Sequence, residues 1–362
     1  MPLSTEKHSK PKEEAQMRFY TKQHKFYCGI DLHARSMYLC ILDQKGKTVL
    51  HRNFKTSPEA VLRAIKPLRD DVVVAVECMF VWYWLADLCA QQNIPFVLGH
   101  ALYMKAIHGG KTKNDKIDSH KIAVLLRGGM IPMAYVYPKK MRATRDLLRR
   151  RNHLMRKRAE LFAHIQNTNT QYNLSDSFGC IAKPQNRNGI VEQFEHPAVQ
   201  KSMAVDLELI RTYDVILTDL ERTIIKLANH HDPVSYALLQ SIHGVGRILG
   251  LVMLYEIEDI DRFPRVQDFV SYSRLVKCSH ESNGKKCGTN GNKIGNAHLK
   301  WAFSEAAILF LKGNDPAKRY FDRVIHKHGK AKALSILAHK LGRAVYFMLK
   351  NKESFDQEKF LR

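Results

Sequence analysis

The sequence predicts an α/β N-terminal domain, a helical coiled-coil middle and a mainly α C-terminal domain. Three observations carry that reading. Short apolar, β-branched runs alternate with helical patterns between residues 26 and 98, apolar pairs recur every seven residues from Leu147, and the last third is a series of helical stripes broken by one Gly- and Asn-rich segment. At 362 residues and 45% hydrophobic content, the chain can bury a sizeable core in two or three domains.

Residues 1–25, with Lys10-Pro11-Lys12-Glu13-Glu14, read as a mobile charged tail. Phe26–Leu32, Met37–Leu42 and Thr48–Phe54 are strand-like, the last two joined through Gln44-Lys45-Gly46-Lys47. Ser57-Pro58-Glu59 offers an N-cap and a proline at the first helical position, and Val61, Leu62, Ile65 and Leu68 keep one apolar face through Arg69. Val72-Val73-Val74-Ala75-Val76 is continuously apolar, the pattern of a strand covered on both faces, and ends on Glu77. A helix over 81–91 and a strand over 95–98 complete a βββαβαβ order in a domain spanning 26–138. The next helix carries Asp115 and Asp118, with Ile117, Ile122, Ala123, Leu125 and Leu126 expected against the sheet.

The middle region, 139–236, opens with ten basic residues against the single acid Asp146: Lys139, Lys140, Arg142, Arg145, Arg149, Arg150, Arg151, Arg156, Lys157 and Arg158. Such a run is either a solvated helix face or a phosphate-contacting one, and the ten-to-one ratio favours phosphate. Leu147-Leu148, Leu154-Met155 and Leu161-Phe162 form one seam; Ile210, Tyr213, Leu217, Leu220, Ile224 and Leu227 form another, beyond a polar loop at 173–197. Together they predict an antiparallel helical pair or a dimerising coiled coil.

The C-terminal domain, 237–352, begins near Ile242-His243-Gly244-Val245-Gly246. Gly244 and Gly246 permit a tight turn whose N–H groups, at a helix start, suit a phosphate. This is the shape of a helix-hairpin-helix element, with Gly250 where the helices approach; a plain αα-turn is the other reading. Residues 277–296 read as a polar loop holding Ser282 with Lys285, Lys286 and Lys293. A serine there is most often a turn residue, and becomes a nucleophile only where its proton is taken or charge on the attacked atom is stabilised. Helices follow over 297–311, 316–328 and 330–350, then a tail at 353–362.

The 58 Lys and Arg exceed the 35 Asp and Glu by 23, a balance that attracts polyanions and makes nucleic acid the expected partner, with salt-sensitive binding. No apolar run approaches the roughly 18 residues of a spanning helix and no apolar signal core opens the chain, so no membrane partner is expected. The seven cysteines are scattered without a C-x-x-C pair, which points to reduced thiols and a cytoplasmic location. Against the cationic background stand Asp31 and Glu77, each ending a strand-like run, and Asp115 and Asp118, one helical turn apart. Converging carboxylates repel unless cations lie between them. Hard oxygen ligands suit Mg2+ or Mn2+, and two such ions can bind the attacking and leaving oxygens of a phosphoryl transfer. Gly109-Gly110-Lys111-Thr112 is not a P-loop, because Lys105 occupies its first glycine position. His33 and His120 lie near the acids without zinc-site spacing and read as substrate-facing or structural.

The order Asp31, Glu77, then Asp115 and Asp118 on a later helix resembles the RuvC-like branch of the RNase H fold. More narrowly, Tyr27-Cys28-Gly29-Ile30-Asp31, Lys113-Asn114-Asp115-Lys116-Ile117-Asp118, His243-Gly244-Val245-Gly246 and Lys293-Ile294-Gly295-Asn296-Ala297-His298-Leu299-Lys300 resemble the DEDD transposases of bacterial insertion sequences. The resemblance implies Mg2+ (or Mn2+) held by Asp31, Glu77, Asp115 and Asp118, and a serine nucleophile, falling on Ser282, that becomes joined to DNA. It also implies a structured noncoding RNA from the element, pairing with donor and target DNA. Cutting two strands in register calls for a homo-oligomer, a dimer or tetramer. The family often has glycine directly after the serine, where this chain has Asn283 and then Gly284, so Ser279 is a second candidate. Two other readings of the residues are a Holliday-junction-type nuclease whose acids activate water, and a nonenzymatic nucleic-acid-binding protein.

Overall fold

The computed structural model describes residues 18–107, 114–174, 179–228, 232–276, 278–282, 285–290 and 294–362. The chain divides into two compact units, residues 1–139 and 140–362.

The first unit runs β1 (Phe26–Leu32), β2 (Ser36–Asp43), β3 (Thr48–Lys55), α1 (Pro58–Ile65), β4 (Val72–Glu77), α2 (Tyr83–Gln91), β5 (Phe96–Gly99), α3 (Ala101–Ile107) and α4 (Asp115–Arg127). The strands form one mixed sheet in the order β3-β2-β1-β4-β5, with β1 antiparallel to β2 and parallel to β4. The Ser57 side chain accepts from the Ala60 N–H to start α1. The helix stops earlier than its apolar stripe suggests: from Lys66 to Asp71 the chain tightens into a 3-10 turn, where Pro67 has no N–H to continue the α-helical ladder.

Strand alternation sorts the core into two layers. Cys28, Ile30 and Leu32 of β1 and Val72, Val74 and Val76 of β4 pack with Val61 and Ile65 of α1 and Leu85 of α2. Tyr27, Val73 and Ala75 pack on the other side with Ile122, Leu125 and Leu126 of α4. Because β4 is covered on both faces, its sequence is apolar without alternation. Ile117, expected against the sheet, is exposed; five positions before Ile122, it lies about 140° away around the helix.

The second unit opens with α5 (Lys139–Gln171) and α6 (Pro197–Ala228). Arg151 pairs with Glu221 at 2.6 Å, Arg158 with Asp214, and His164 with Asp206 at 2.5 Å. Partners on α6 retreat as residues on α5 advance, so the two seams form an antiparallel pair within one chain. The α6 seam ends on buried Ala228, whereas Leu227, expected in it, is 55% exposed; the step from Ile224 that keeps the face is four residues, not three. The connection expected as a polar loop supplies Ile181, Ile190 and Phe194 to a small core under the pair.

There follow α7 (Pro233–Gln240), α8 (Arg247–Ile257), α9 (Val266–Tyr272), β6 (Cys278–Ser282), β7 (Lys285–Asn290), α10 (Ala297–Leu311), α11 (Asp315–His328), α12 (Lys330–Asn351) and α13 (Gln357–Leu361). The buried α8 packs with Phe303 and Phe310 of α10 and Leu337, Leu341 and Val345 of α12. Two expectations change here. The polar loop at 277–296 contains an antiparallel hairpin, β6 on β7, since Gly and Asn suit the turn that joins strands as well as they suit open loop. The last residues end in a packed helix, with Phe360 buried against Phe310 and Phe355. Among the described residues no helix is long and apolar enough to cross a membrane.

Candidate catalytic site

Asp31 is the sixth residue of β1 and shares the α4-facing side of that strand with Tyr27 and Gly29. On β4 the same face carries Val73, Ala75 and Glu77, and the parallel register pairs Ile30 with Val76. Asp31 and Glu77 therefore leave neighbouring strands side by side, at strand spacing of about 4.8 Å. Asp115 and Asp118 occupy the first turn of α4, where Asn114 caps the helix by accepting from the Lys116 N–H at 2.9 Å. Acids at a helix start stabilise it unaided, so their position alone signals nothing. The aim of Asp115 does: His33 Nε2 lies 3.4 Å from Asp31 and 3.7 Å from Asp115, bridging the two carboxylates.

Asp31, His33 and Asp115 form the one group among the described residues whose ligand atoms all fall within 4.8 Å of one another. Burial raises the Asp31 pKa above the ordinary value; His33 opposes the rise, and the negative charges of Asp115 and Asp118 add to it. Two carboxylate oxygens and one imidazole nitrogen gathered this closely are a donor set that fits a divalent cation. Asp118 is partly satisfied by Lys121 at 3.3 Å.

Two residues that the motif reading did not assign set this geometry. A Cβ on Gly29 would lie 2.4 Å from the Ala123 nitrogen and 2.5 Å from the Ser119 carbonyl oxygen, so only glycine lets α4 lie directly on β1. His51 on β3 donates from Nε2 to the Lys116 carbonyl at 2.9 Å, tying down the acidic first turn. A glycine two positions before an acid in a strand was the available signal for the first; nothing local marks the second.

In the second unit Ser282 is the last residue of β6, paired with Lys285 beside the hairpin turn, while Ser279 pairs with Thr289 nearer the base. Lys286 lies on β7, and Lys293 falls outside the described residues. The base of the hairpin is pinned. Gly295 (φ +96°) runs so close to the end of α9 that a Cβ would meet the Tyr272 oxygen at 2.6 Å. Asn296 accepts from the His298 and Leu299 N–H groups to cap α10, and its amide donates to Glu256 at 2.8 Å. The Ile294-Gly295-Asn296 motif is thus an architectural joint. Gly244 (φ +83°) likewise packs against Leu309, Gly246 opens α8 with clear space around it, and Gly250 faces Tyr236 and Gln240 of α7.

Glu256 was missed by sequence reasoning, since its arginine partners are more than a hundred residues away and Asn296 is 40 away. It is 2% exposed and receives Arg145 Nε at 3.0 Å and Arg149 Nε at 2.6 Å as well as Asn296. Burial alone would raise its pKa; hydrogen bonds and charge from Arg149 and Arg145 overcome this and hold it at about 2. Much of the basic run on α5 is therefore engaged inside the chain: Arg142 and Arg145 are buried, and Arg149, Arg151 and Arg158 meet carboxylates. Lys139, Lys140, Arg150, Arg156 and Lys157 are exposed, with Lys157 held by Glu160 at 2.8 Å.

Comparison with known proteins gives a consistent picture. Residues 28–174 match the DEDD transposase family of the IS110 type, and residues 236–322 match the transposase IS116/IS110/IS902 family. The chain is also 22% identical over 341 residues, 90% of each sequence, to the transposase for insertion sequence element IS1111A of Coxiella burnetii (strain RSA 493 / Nine Mile phase I).

Proposed function

Because the chain belongs to the IS110 family of DEDD transposases, enzymes of DNA transposition that depend on divalent metal, we propose that it excises and inserts its own element through a covalent serine–DNA intermediate. The observation that carries the metal half of this reading is the convergence of Asp115 and Asp31, from separate elements, on the same His33 nitrogen, with the ligand atoms of all three within 4.8 Å of one another. Asp31, Glu77, Asp115 and Asp118 would hold Mg2+ (or Mn2+), which would supply charge neutralisation at phosphate oxygens. The strand order β3-β2-β1-β4-β5 with β2 antiparallel supports an RNase H-like, RuvC-like nuclease domain.

The Ser282 hydroxyl attacks phosphorus. An Oγ–P bond forms, the bond to one deoxyribose oxygen breaks, the serine proton is lost to water and the leaving oxygen gains one. Ser282 is favoured over Ser279 by its place beside the hairpin turn, opposite exposed Lys285. The exposed Lys139, Lys140, Arg150, Arg156 and Lys157 contact nucleic-acid backbone, either DNA or an element-encoded structured RNA. Pairing of protomers is supported by Val205, Leu209, Ile216 and Leu227, apolar residues exposed on α6. The free cysteines, among them Cys28, Cys40 and Cys89, fit a bacterial cytoplasm.

The test is denaturing electrophoresis of protein recovered from cells carrying the whole element. A DNA adduct is expected that disappears in Ser282→Ala and in Asp115→Ala. Cleavage without an adduct would replace this reading with metal-activated water, the junction-nuclease chemistry.

A further inference from the structure

The second unit carries another cationic surface, on α11 and α12. The chain there reads His326-Lys327-His328-Gly329-Lys330-Ala331-Lys332, and all seven residues are exposed. Arg323 and Arg319 continue it at four and eight positions before Lys327, turned away from the buried Ala317 and Phe321. The acids nearby are few. Asp315 is held by Lys318 at 3.0 Å, and Asp322 is the one other acid in residues 315–332. Lys327, Lys330 and Lys332 make no ion pair among the described residues, unlike Arg149, Arg151 and Arg158 of α5. Gly329 (φ +77°) ends α11 and starts α12, so the two helix dipoles offset there and the positive potential comes from the side chains.

We propose that this knuckle between α11 and α12 binds the sugar–phosphate backbone of duplex DNA, as a contact additional to those on α5 and the β6–β7 hairpin. From Arg319 to Lys327 the stripe is about 12 Å long at 1.5 Å per residue, the span of roughly three phosphates of one strand at 3.4 Å each. Flexible lysines deliver charge to phosphates without reading bases. Tyr320 is the one Tyr, Phe or Trp ring on the stripe that is not buried, and Arg323 and Lys340 lie over it at 5.8 and 4.3 Å, which leaves little ring face for an unpaired base and favours duplex over single strand. The inference rests on DNA as the substrate of the family, and on neither Ser282 nor the metal site.

The test uses full-length protein and a roughly 30-base-pair DNA duplex of arbitrary sequence, with affinity read by fluorescence anisotropy over a range of salt. Each lost phosphate contact removes about 0.9 from the slope of log affinity against log salt. Lys327→Ala/Lys330→Ala/Lys332→Ala is expected to flatten the slope by 2 to 3 and to weaken binding at least about tenfold at low salt. The matching triple Lys→Arg variant keeps the slope, and equal melting curves separate loss of charge from loss of fold. An unchanged slope in the alanine triple overturns the proposal, as does a slope change seen with an RNA duplex but not with DNA. The readout is equilibrium binding without added metal and without cleavage, so failure of the catalytic reading leaves this result standing.

Discussion

Replacing Glu256 by glutamine removes one buried charge and little volume. In the folded protein this carboxyl is held at about 2 by Arg145, Arg149 and Asn296. A drop from an ordinary value of about 4.3, at 1.36 kcal/mol per pKa unit, makes the ionised group worth about 3 kcal/mol. The variant also loses the charge that faces Arg145, whose side chain is 8% exposed, and breaking a buried ion pair from one side costs about 3–5 kcal/mol. Glu256→Gln is therefore expected to lower the melting temperature by roughly 10 °C at pH 7, at 2–4 °C per kcal/mol for a domain of this size. The pH dependence has a defined sign. A carboxyl whose folded pKa is depressed contributes fully above its unfolded value and loses that contribution as pH falls toward the folded one. The gap between wild type and variant is thus level from pH 6 to 8 and shrinks by about 1 kcal/mol near pH 3.5. Urea denaturation of the full chain across this range reads both. A variant as stable as wild type at pH 7, or a gap that does not narrow in acid, would refute the assignment of Glu256 as the electrostatic anchor of α5 and of the hairpin's base.

Other consequences concern the carboxylate site and α5. Gly29→Ala drives a Cβ into the Ala123 and Ser119 backbone; a stability loss of about 1–3 kcal/mol is expected, with adduct formation falling on the order of a hundredfold as α4 shifts. Full activity in a folded variant would show that β1–α4 contact does not position the acids. Asp31→Asn is expected to abolish Mn2+ binding followed by electron paramagnetic resonance, while circular dichroism stays unchanged; retained binding would remove Asp31 from the ligand set. Arg158→Ala and Arg156→Ala separate the two uses of the basic helix. Arg158, paired with Asp214, should lose about 1–2 kcal/mol of stability with little change in DNA affinity, whereas exposed Arg156 should do the reverse.

Much of the first unit was legible because its signals are local. Strand-like runs end on Asp31 and Glu77, and period-two alternation puts both acids on the α4 side. The hydrophobic seams marked α5 and α6, and Gly250 marked the approach of α7. What tertiary structure decided was how the charges are spent. Ten cations in one stretch promise a phosphate surface, yet Arg145, Arg149, Arg151 and Arg158 meet acids 56 to 111 residues away. Local sequence cannot show that, because ion pairing depends on distance in space and burial, while charge counting sees only distance along the chain. The same holds for Gly29, His51 and Asn296: each acts through an element far off in sequence. The residues determined which chemistry is available, and packing determined which of them remain free to perform it.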